Sequence, residues 1–334
     1  MYPSGSYAKP YPALILSQSI YTFLVYKEIW CDGCYDLVHF GHANSFRQAK
    51  LLANKLIVGV HSDNEVLKHK RLPIYTEEER YKLIKGIKWV DEVVEDSPYV
   101  TTIDVLDKYN CYYCAHGNDI TATFDGIDTY KIIKETNRYK ELKRTPGIST
   151  TAIINRILEK YQEKNKSTIT LENNGILFEE ETNNKHSKWT GINDPFLMTT
   201  SKIFEFMNNE YRTPKSNDKI IYAPGSYDLF HIGHLDFLEN CKNESDYLIV
   251  GLYTDEIIKK IKNSQYPIMN LQERIFNVLS YKCVDEVIIG APYIISEDFI
   301  NQIKIDTIYH GGKHLIFAND YVRGIRNNGK QTEN

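Results

Sequence analysis

CDGCYDLVHFGHANSFRQAK, residues 31–50, decides the reading of this chain, because most of it returns as APGSYDLFHIGHLDFLENC at residues 223–241. Both stretches spell G-x-Y-D-L, then H-x-G-H, then the opening of a helix. A shift of 192 pairs Gly33 with Gly225, Tyr35 with Tyr227, His39 with His231, His42 with His234 and Lys70 with Lys262. After a two-residue insertion the shift becomes 194. Arg80 then pairs with Arg274, VDEV at 90–93 with VDEV at 284–287, PY at 98–99 with PY at 292–293, and HG at 116–117 with HG at 310–311. A unit that long lies outside the roughly 20–50-residue periods of solenoids. It reads as a duplicated domain.

Within a copy, strand and helix patterns alternate. KEIW (27–30), KLIVGVHS (55–62), WVDEVVE (89–95) and CYYCAHG (111–117) have the short apolar or β-branched character of buried strands. NSFRQAKLLA (44–53) and TTIDVLDKY (101–109) have helical spacing. Thr76 with Glu79 three residues later forms a capping box that opens another helix. The alternation predicts an α/β protein with two tandem Rossmann-like, doubly wound parallel sheets. Ligands on such sheets lie beyond the carboxyl ends of the strands, where both H-x-G-H and the HG pair fall. The expected layout is an N-terminal extension (1–27), a catalytic domain (28–160), a linker (161–217) with a helical segment near 194–211, and a second domain (218–334).

Composition narrows the classes. With 334 residues, of which 42% are hydrophobic, two ordinary cores can form. The net charge of −4, with both signs interspersed, argues against a protein that coats nucleic acid. YPALILSQSIYTFLVY (11–26) is too short and too broken by polar residues to span a bilayer, and no basic stretch precedes it. It reads as a strand or packing segment, with peripheral membrane contact as the alternative. Cys31 with Cys34, and Cys111 with Cys114, have C-x-x-C spacing, which suggests zinc. The pairs are far apart, however, and the second copy has Ala223, Ser226, Ile305 and Ile308 in their place, so packing is the expectation and no metal site is predicted.

Two histidines three apart at a helix start project to one side. Gly41 between them removes a side chain, so a ligand can approach the backbone. The helix N-terminus adds free N–H groups and a positive dipole end, which suits phosphate. Two imidazoles can donate to oxygens whose charge grows during phosphoryl or nucleotidyl transfer.

H-x-G-H, RTPGISTT (144–151), HGND (116–119) and KWVDEVV (88–94) together resemble the cytidylyltransferase family, and the tandem layout resembles its phosphoethanolamine branch. The likeness covers nearly all of residues 28–320. It implies transfer of CMP from CTP to phosphoethanolamine, releasing pyrophosphate, by in-line attack with no covalent intermediate and with Mg²⁺ accompanying CTP. It implies catalytic roles for His39, His42, Lys70 and Arg144. Cys31, Asp32, Gly33, Cys34, Gly41, Arg80, His116, Gly117, Asp119, Ser149 and Thr150 are the implied nucleotide-binding positions. Asp36, Tyr35 and Trp89 are candidates for the acceptor, since an ammonium seeks carboxylate or aromatic faces. The implied setting is cytoplasmic or peripheral to the endoplasmic reticulum membrane. The implied assembly is a monomer with a pseudo-dimeric domain pair, or a homodimer.

The second copy keeps His231, His234, Lys262 and Arg274, yet nothing after His310 spells RTPGISTT, and Asp32 becomes Pro224. That copy is expected to be degenerate or truncated, with a structural, regulatory or weakly active role. HIGH also occurs in class I aminoacyl-tRNA synthetases, but no KMSKS-like loop or basic tRNA-binding region accompanies it here. Phosphocholine or another phospho-alcohol is the closer alternative acceptor.

Overall fold

The computed structural model describes residues 26–118, 122–166, 199–200, 203, 212–262, 265–311 and 315–317. Asp119, residues 1–25, residues 167–198, most of the helix expected at 194–211 and the chain from 318 onward lie outside them.

The first sheet comprises β1 (Tyr26–Gly33), β2 (Ala53–Val60), β3 (Glu92–Val94), β4 (Tyr113–Gly117) and β5 (Tyr139–Leu142) in the order 3-2-1-4-5. All its neighbouring strands are parallel. Helices α1 (Phe40–Lys50), α2 (Asp63–His69), α3 (Glu77–Lys85), α4 (Ile103–Lys108) and α5 (Lys131–Glu135) connect them, and α6 (Thr150–Lys166) follows β5. The central strands are covered on both faces, which is why Leu56, Ile57, Val58 and Val60 form an almost unbroken apolar run. α1 begins at Phe40, at the helix start read from H-x-G-H and four residues before the NSFRQAKLLA pattern, because His39 caps it, and α3 begins at Glu77 behind the Thr76–Glu79 capping box.

The second domain repeats the plan. β6 (Ile220–Gly225), α7 (Ile232–Asn243), β7 (Tyr247–Leu252), α8 (Asp255–Ile261), α9 (Leu271–Leu279), β8 (Glu286–Ile289), α10 (Glu297–Ile303), β9 (Thr307–Tyr309) and β10 (Leu315–Phe317) follow in turn. The sheet order is 10-9-6-7-8, the same as in the first domain, but β10 runs antiparallel to β9. The parallel expectation holds for the other strand pairs of this sheet and departs only at this edge, where five residues separate β10 from the end of β9. A return that short leaves no room for the dozen-residue crossover that a parallel strand requires.

One hydrophobic core joins the two domains. Phe46, Leu83, Ile84 and Ile87 pack in the same cluster as Phe230, Leu235, Val278 and Tyr281. α1 lies against α9, and α3 against α7. At the centre Ile87 bridges Tyr281, flanked by Lys88 N–H to Ser280 C=O and Lys282 N–H to Gly86 C=O, both 2.8 Å. Each bond is the other's image under the internal repeat. The contact therefore has the self-complementary form of a two-fold dimer interface, built inside one chain. Three cysteines of the two C-x-x-C pairs are packed, Cys31 in the shared core and Cys111 and Cys114 with Trp30, Leu106 and Ile133, while Cys34 is half-buried at the cleft. Among the described residues no group of three His, Cys, Asp or Glu side chains converges as a metal cage.

Candidate active site

The loop after β1 is unusual. Tyr35 and Leu37 have φ of 53° and 46°, a left-handed backbone that costs about 1 kcal/mol or more for each non-glycine residue. Asp36 holds the loop in this shape. Its carboxylate accepts Leu37 N–H (2.9 Å), Tyr75 N–H (3.0 Å) and Ile74 N–H (2.9 Å). The twist turns the Tyr35 ring back over Gly33, where an added Cβ would stand 3.0 Å from the ring. The second domain repeats the twist and two of the three bonds, with Tyr227 and Leu229 at 47° and 48° and Asp228 accepting Ile268 and Met269 N–H. Asp36, expected to meet the acceptor, is thus committed to backbone amides and works as a loop clamp.

The loop delivers His39 to the N-cap of α1. Its Nδ1 accepts Gly41 N–H (3.1 Å), while its own backbone N–H points at His42 Nδ1 (3.4 Å). The two rings stack with centroids 3.8 Å apart. A ring nitrogen that accepts an N–H carries no proton, so each neutral imidazole carries its proton on Nε2. The cap thereby converts both rings into Nε2–H donors. His39 Nε2 is buried and has no hydrogen-bond partner among the described residues. Burial, with His42 and Arg144 adding to it, holds the His39 pKa well below its ordinary value, so the ring is a neutral donor. Gly41 was expected to open space for a ligand. Instead, an added Cβ would lie 2.9 Å from both the His39 ring and Ile148 Cγ2, so the missing side chain makes room for the protein's own atoms.

These groups face a cleft of about 550 Å³ at the carboxyl ends of the strands. It brings together His39, His42, Lys70, Arg144, Ser149 and Thr150 with Cys31, Asp32, Gly33, Cys34, Tyr35, Gly41, His116 and Gly117. Lys70 and Arg144 are exposed cations at its rim, with Lys70 Nζ 5.7 Å from the Tyr99 ring centre. Ser149 and Thr150 stand where α6 begins, and Ser149 Oγ caps Ala152 N–H (3.1 Å). Opposite them lies Asp32, a buried carboxylate that accepts Thr101 Oγ1 (2.5 Å) and Tyr130 OH (2.9 Å). Tyr99, Tyr130, His61 and His116 wall this end. The first three of these went unread in the sequence. Tyr99 had a signal, since its PY pair recurs at Pro292 and Tyr293. His61 faces Ser97 C=O through Nδ1 (3.0 Å), and burial lowers its pKa.

Two expected contacts lie elsewhere. Arg80, expected at the nucleotide, is fully buried, with its guanidinium bonded to Tyr75, Cys34 and His61 carbonyls and to Asp63. Trp89, expected at the acceptor, is half-buried and packs against the shared core. Both answer folding demands instead. In the second domain His231 accepts Gly233 N–H (3.1 Å) and donates to His234 Nδ1 (3.4 Å), the same reciprocal cap. His231 is exposed, however, and among the described residues the 550 Å³ cleft is lined from the first domain. Lys262 reaches the Tyr266 ring at 6.0 Å, and Arg274 is buried like Arg80.

Comparison with known proteins agrees with this geometry. The model of the cytidylyltransferase-like family matches residues 30–156 and 222–331. Ethanolamine-phosphate cytidylyltransferase from Mus musculus is 43% identical over 310 residues, covering 86% of this chain and 76% of that one. Its namesake from Dictyostelium discoideum is 43% identical over 297 residues, covering 87% and 80%. Choline-phosphate cytidylyltransferase 2 from Arabidopsis thaliana is 42% identical over 139 residues, but this covers 40% of the present chain and 46% of the other. The likeness that spans both sheets and the core between them is thus to the ethanolamine-phosphate enzymes, and the chain belongs to the ethanolamine-phosphate cytidylyltransferase family.

Proposed function

We propose that the first-domain cleft transfers the cytidylyl group of CTP to phosphoethanolamine, forming CDP-ethanolamine and pyrophosphate. The observation that carries this reading is the buried, unpartnered Nε2 of His39, a neutral donor aimed into a cleft rimmed by Lys70 and Arg144. An oxygen of the acceptor phosphate attacks the α-phosphorus in line, and the bond to the bridging oxygen breaks as pyrophosphate leaves with the electron pair. That nucleophile is already anionic, so no general base is required. This suits histidines whose Nδ1 atoms serve the helix cap. His39 and His42 donate to oxygens that gain charge, while Lys70, Arg144 and the N-terminus of α6 bind the rest of the triphosphate.

Mg²⁺ fits this scheme as the counter-ion of CTP, which typically keeps several waters and binds through phosphates and one or two carboxylates at most. Asp36 is held by backbone amides, and Asp32 is the cleft's other buried carboxylate. The metal would supply charge neutralisation on the phosphates, and the side chains named above orient them.

For the acceptor we place the ammonium at Asp32, beside the faces of Tyr99 and Tyr130, in place of Asp36 and Trp89. A primary ammonium gains from a carboxylate and hydroxyl oxygens, whereas a quaternary one depends on aromatic faces. Pyrophosphate release from CTP and Mg²⁺ with phosphoethanolamine, phosphocholine or glycerol 3-phosphate tests the assignment. Phosphoethanolamine should be preferred, and equal turnover of phosphocholine refutes the choice.

A further inference from the structure

α6 starts in the cleft and continues onto the other domain. Its start is fixed by first-domain bonds: Thr150 Oγ1 donates to Asp36 C=O (3.0 Å), and Asn44 Nδ2 donates to Thr145 Oγ1 (2.9 Å) just upstream. Two turns later the partners change domain. The Arg156 guanidinium grips Glu273 through bonds of 2.8 and 2.9 Å and donates to Ile268 C=O at 3.0 Å. Lys160 Nζ donates to Gln265 and Pro267 carbonyls at 2.5 and 3.1 Å. Between these anchors Ile153 and Ile157 pack with Ile268 and Met269. Glu273 itself is 6% exposed and also accepts Asn270 N–H (2.9 Å), closing the cap of α9. Its place is therefore set by the second domain's own fold.

We propose that the second domain serves the reaction as a rigid seat for α6, with Arg156 and Glu273 as positioning residues that set where Ser149 and Thr150 stand against the triphosphate. This rests on the reading of the cleft as the CTP site. The lever is short and stiff. Six residues separate Thr150 from Arg156, roughly 9 Å of helix, so a tilt of about 6° shifts one end about 1 Å relative to the other. A displacement of that size can lower catalysis about a hundredfold. A two-point Arg–carboxylate grip fixes orientation as well as distance, which a single bond does not.

The test measures CTP affinity by calorimetry and steady-state kinetics in the full chain, at a temperature where thermal unfolding shows every variant folded. Glu273→Gln, which can still cap α9, and Arg156→Ala should each weaken CTP binding about tenfold. The loss should appear in KM for CTP more than in kcat, since a ground-state contact is loosened. The reversed pair R156E/E273R should recover part of the affinity. Lys82→Ala, which removes the cross-domain pair with Asp236 between α3 and α7, should leave it unchanged. Should Glu273→Gln fail to fold, Arg156→Lys keeps the charge, loses the two-point grip and carries the same expectation. A Glu273→Gln affinity within twofold of wild type, or an equal loss in Lys82→Ala, overturns the proposal. Wild-type protein that does not bind CTP at all overturns the reading beneath it as well.

Discussion

Arg80 and Arg274 occupy the same buried place in the two domains, each with its guanidinium on three backbone carbonyls and one aspartate. For Arg80 the partners are Tyr75, Cys34, His61 and Asp63; for Arg274 they are Met269, Ser226, Tyr253 and Asp255. A group held in the same way in both domains, although the described lining of the cleft comes from one of them, is explained by what it holds together, namely the loop after the first strand, the end of the second strand and the start of the helix that follows it.

Arg80→Ala leaves three carbonyls and a carboxylate without their partner. Breaking such a buried pair costs about 3 kcal/mol or more. Urea unfolding should show this loss, and Arg274→Ala should lose a similar amount. An Arg80→Ala protein of wild-type stability with a raised KM for CTP would return the residue to the nucleotide.

Asn is a good N-cap, so His39→Asn keeps an acceptor for Gly41 N–H while removing the ring and its Nε2–H. Stability should change little, and kcat/KM should fall by about 10² to 10³, as for other lost transition-state donors. His231→Asn should leave turnover near wild type. Abolished turnover in a folded His231→Asn protein would show that the second domain takes part in the chemistry.

Asp32→Asn retains the shape of the pocket floor and removes its charge. KM for phosphoethanolamine should rise about tenfold, and KM for CTP should move less. If both rise equally, Asp32 acts on the loop and not on the ammonium.

Acid should destabilise the fold through its buried imidazoles. Burial, with His231 and Lys262 adding to it, lowers the His234 pKa to about 4, below the ordinary value of about 6.5 for an unfolded histidine. The unfolded chain then binds more protons than the native one between those values. The stabilisation is complete above about pH 6.5 and is lost as the pH falls toward about 4. His234→Asn should flatten the decline in urea midpoint between pH 7.5 and pH 5. An unchanged slope would assign that proton uptake elsewhere.

The sequence showed the fold well because its signals were local and came twice. Strand and helix alternation, the Thr76–Glu79 box and the repeated Asp36 and Asp228 all reappear as structure. The direction of β10 was not legible, since three apolar residues carry no orientation. In the cleft, the motif residues His39, His42, Lys70 and Arg144 do converge. What spacing could not distinguish was a side chain facing the ligand from one facing the scaffold beside it. Arg80 and Trp89 share the neighbourhood yet point into the protein, and Asp36 borders the cleft with its carboxylate held by backbone amides, whereas Tyr130 has no motif and Tyr99 only the repeated PY pair. Gly41 lines the cleft as its motif position suggested, but the space left by its missing side chain is taken by the His39 ring and by Ile148 from a distant segment, which spacing could not show.

The core that joins the two sheets has a further consequence. Two separate subunits meeting through such a face would part on dilution, whereas tethered halves meet at an effective concentration in the millimolar range. Each half can then diverge without weakening its partner's hold, because a substitution falls on one side of the pair and not on both. A covalent pair can keep a reaction chamber on one side and let the other become its support, an asymmetry closed to a dimer of identical chains.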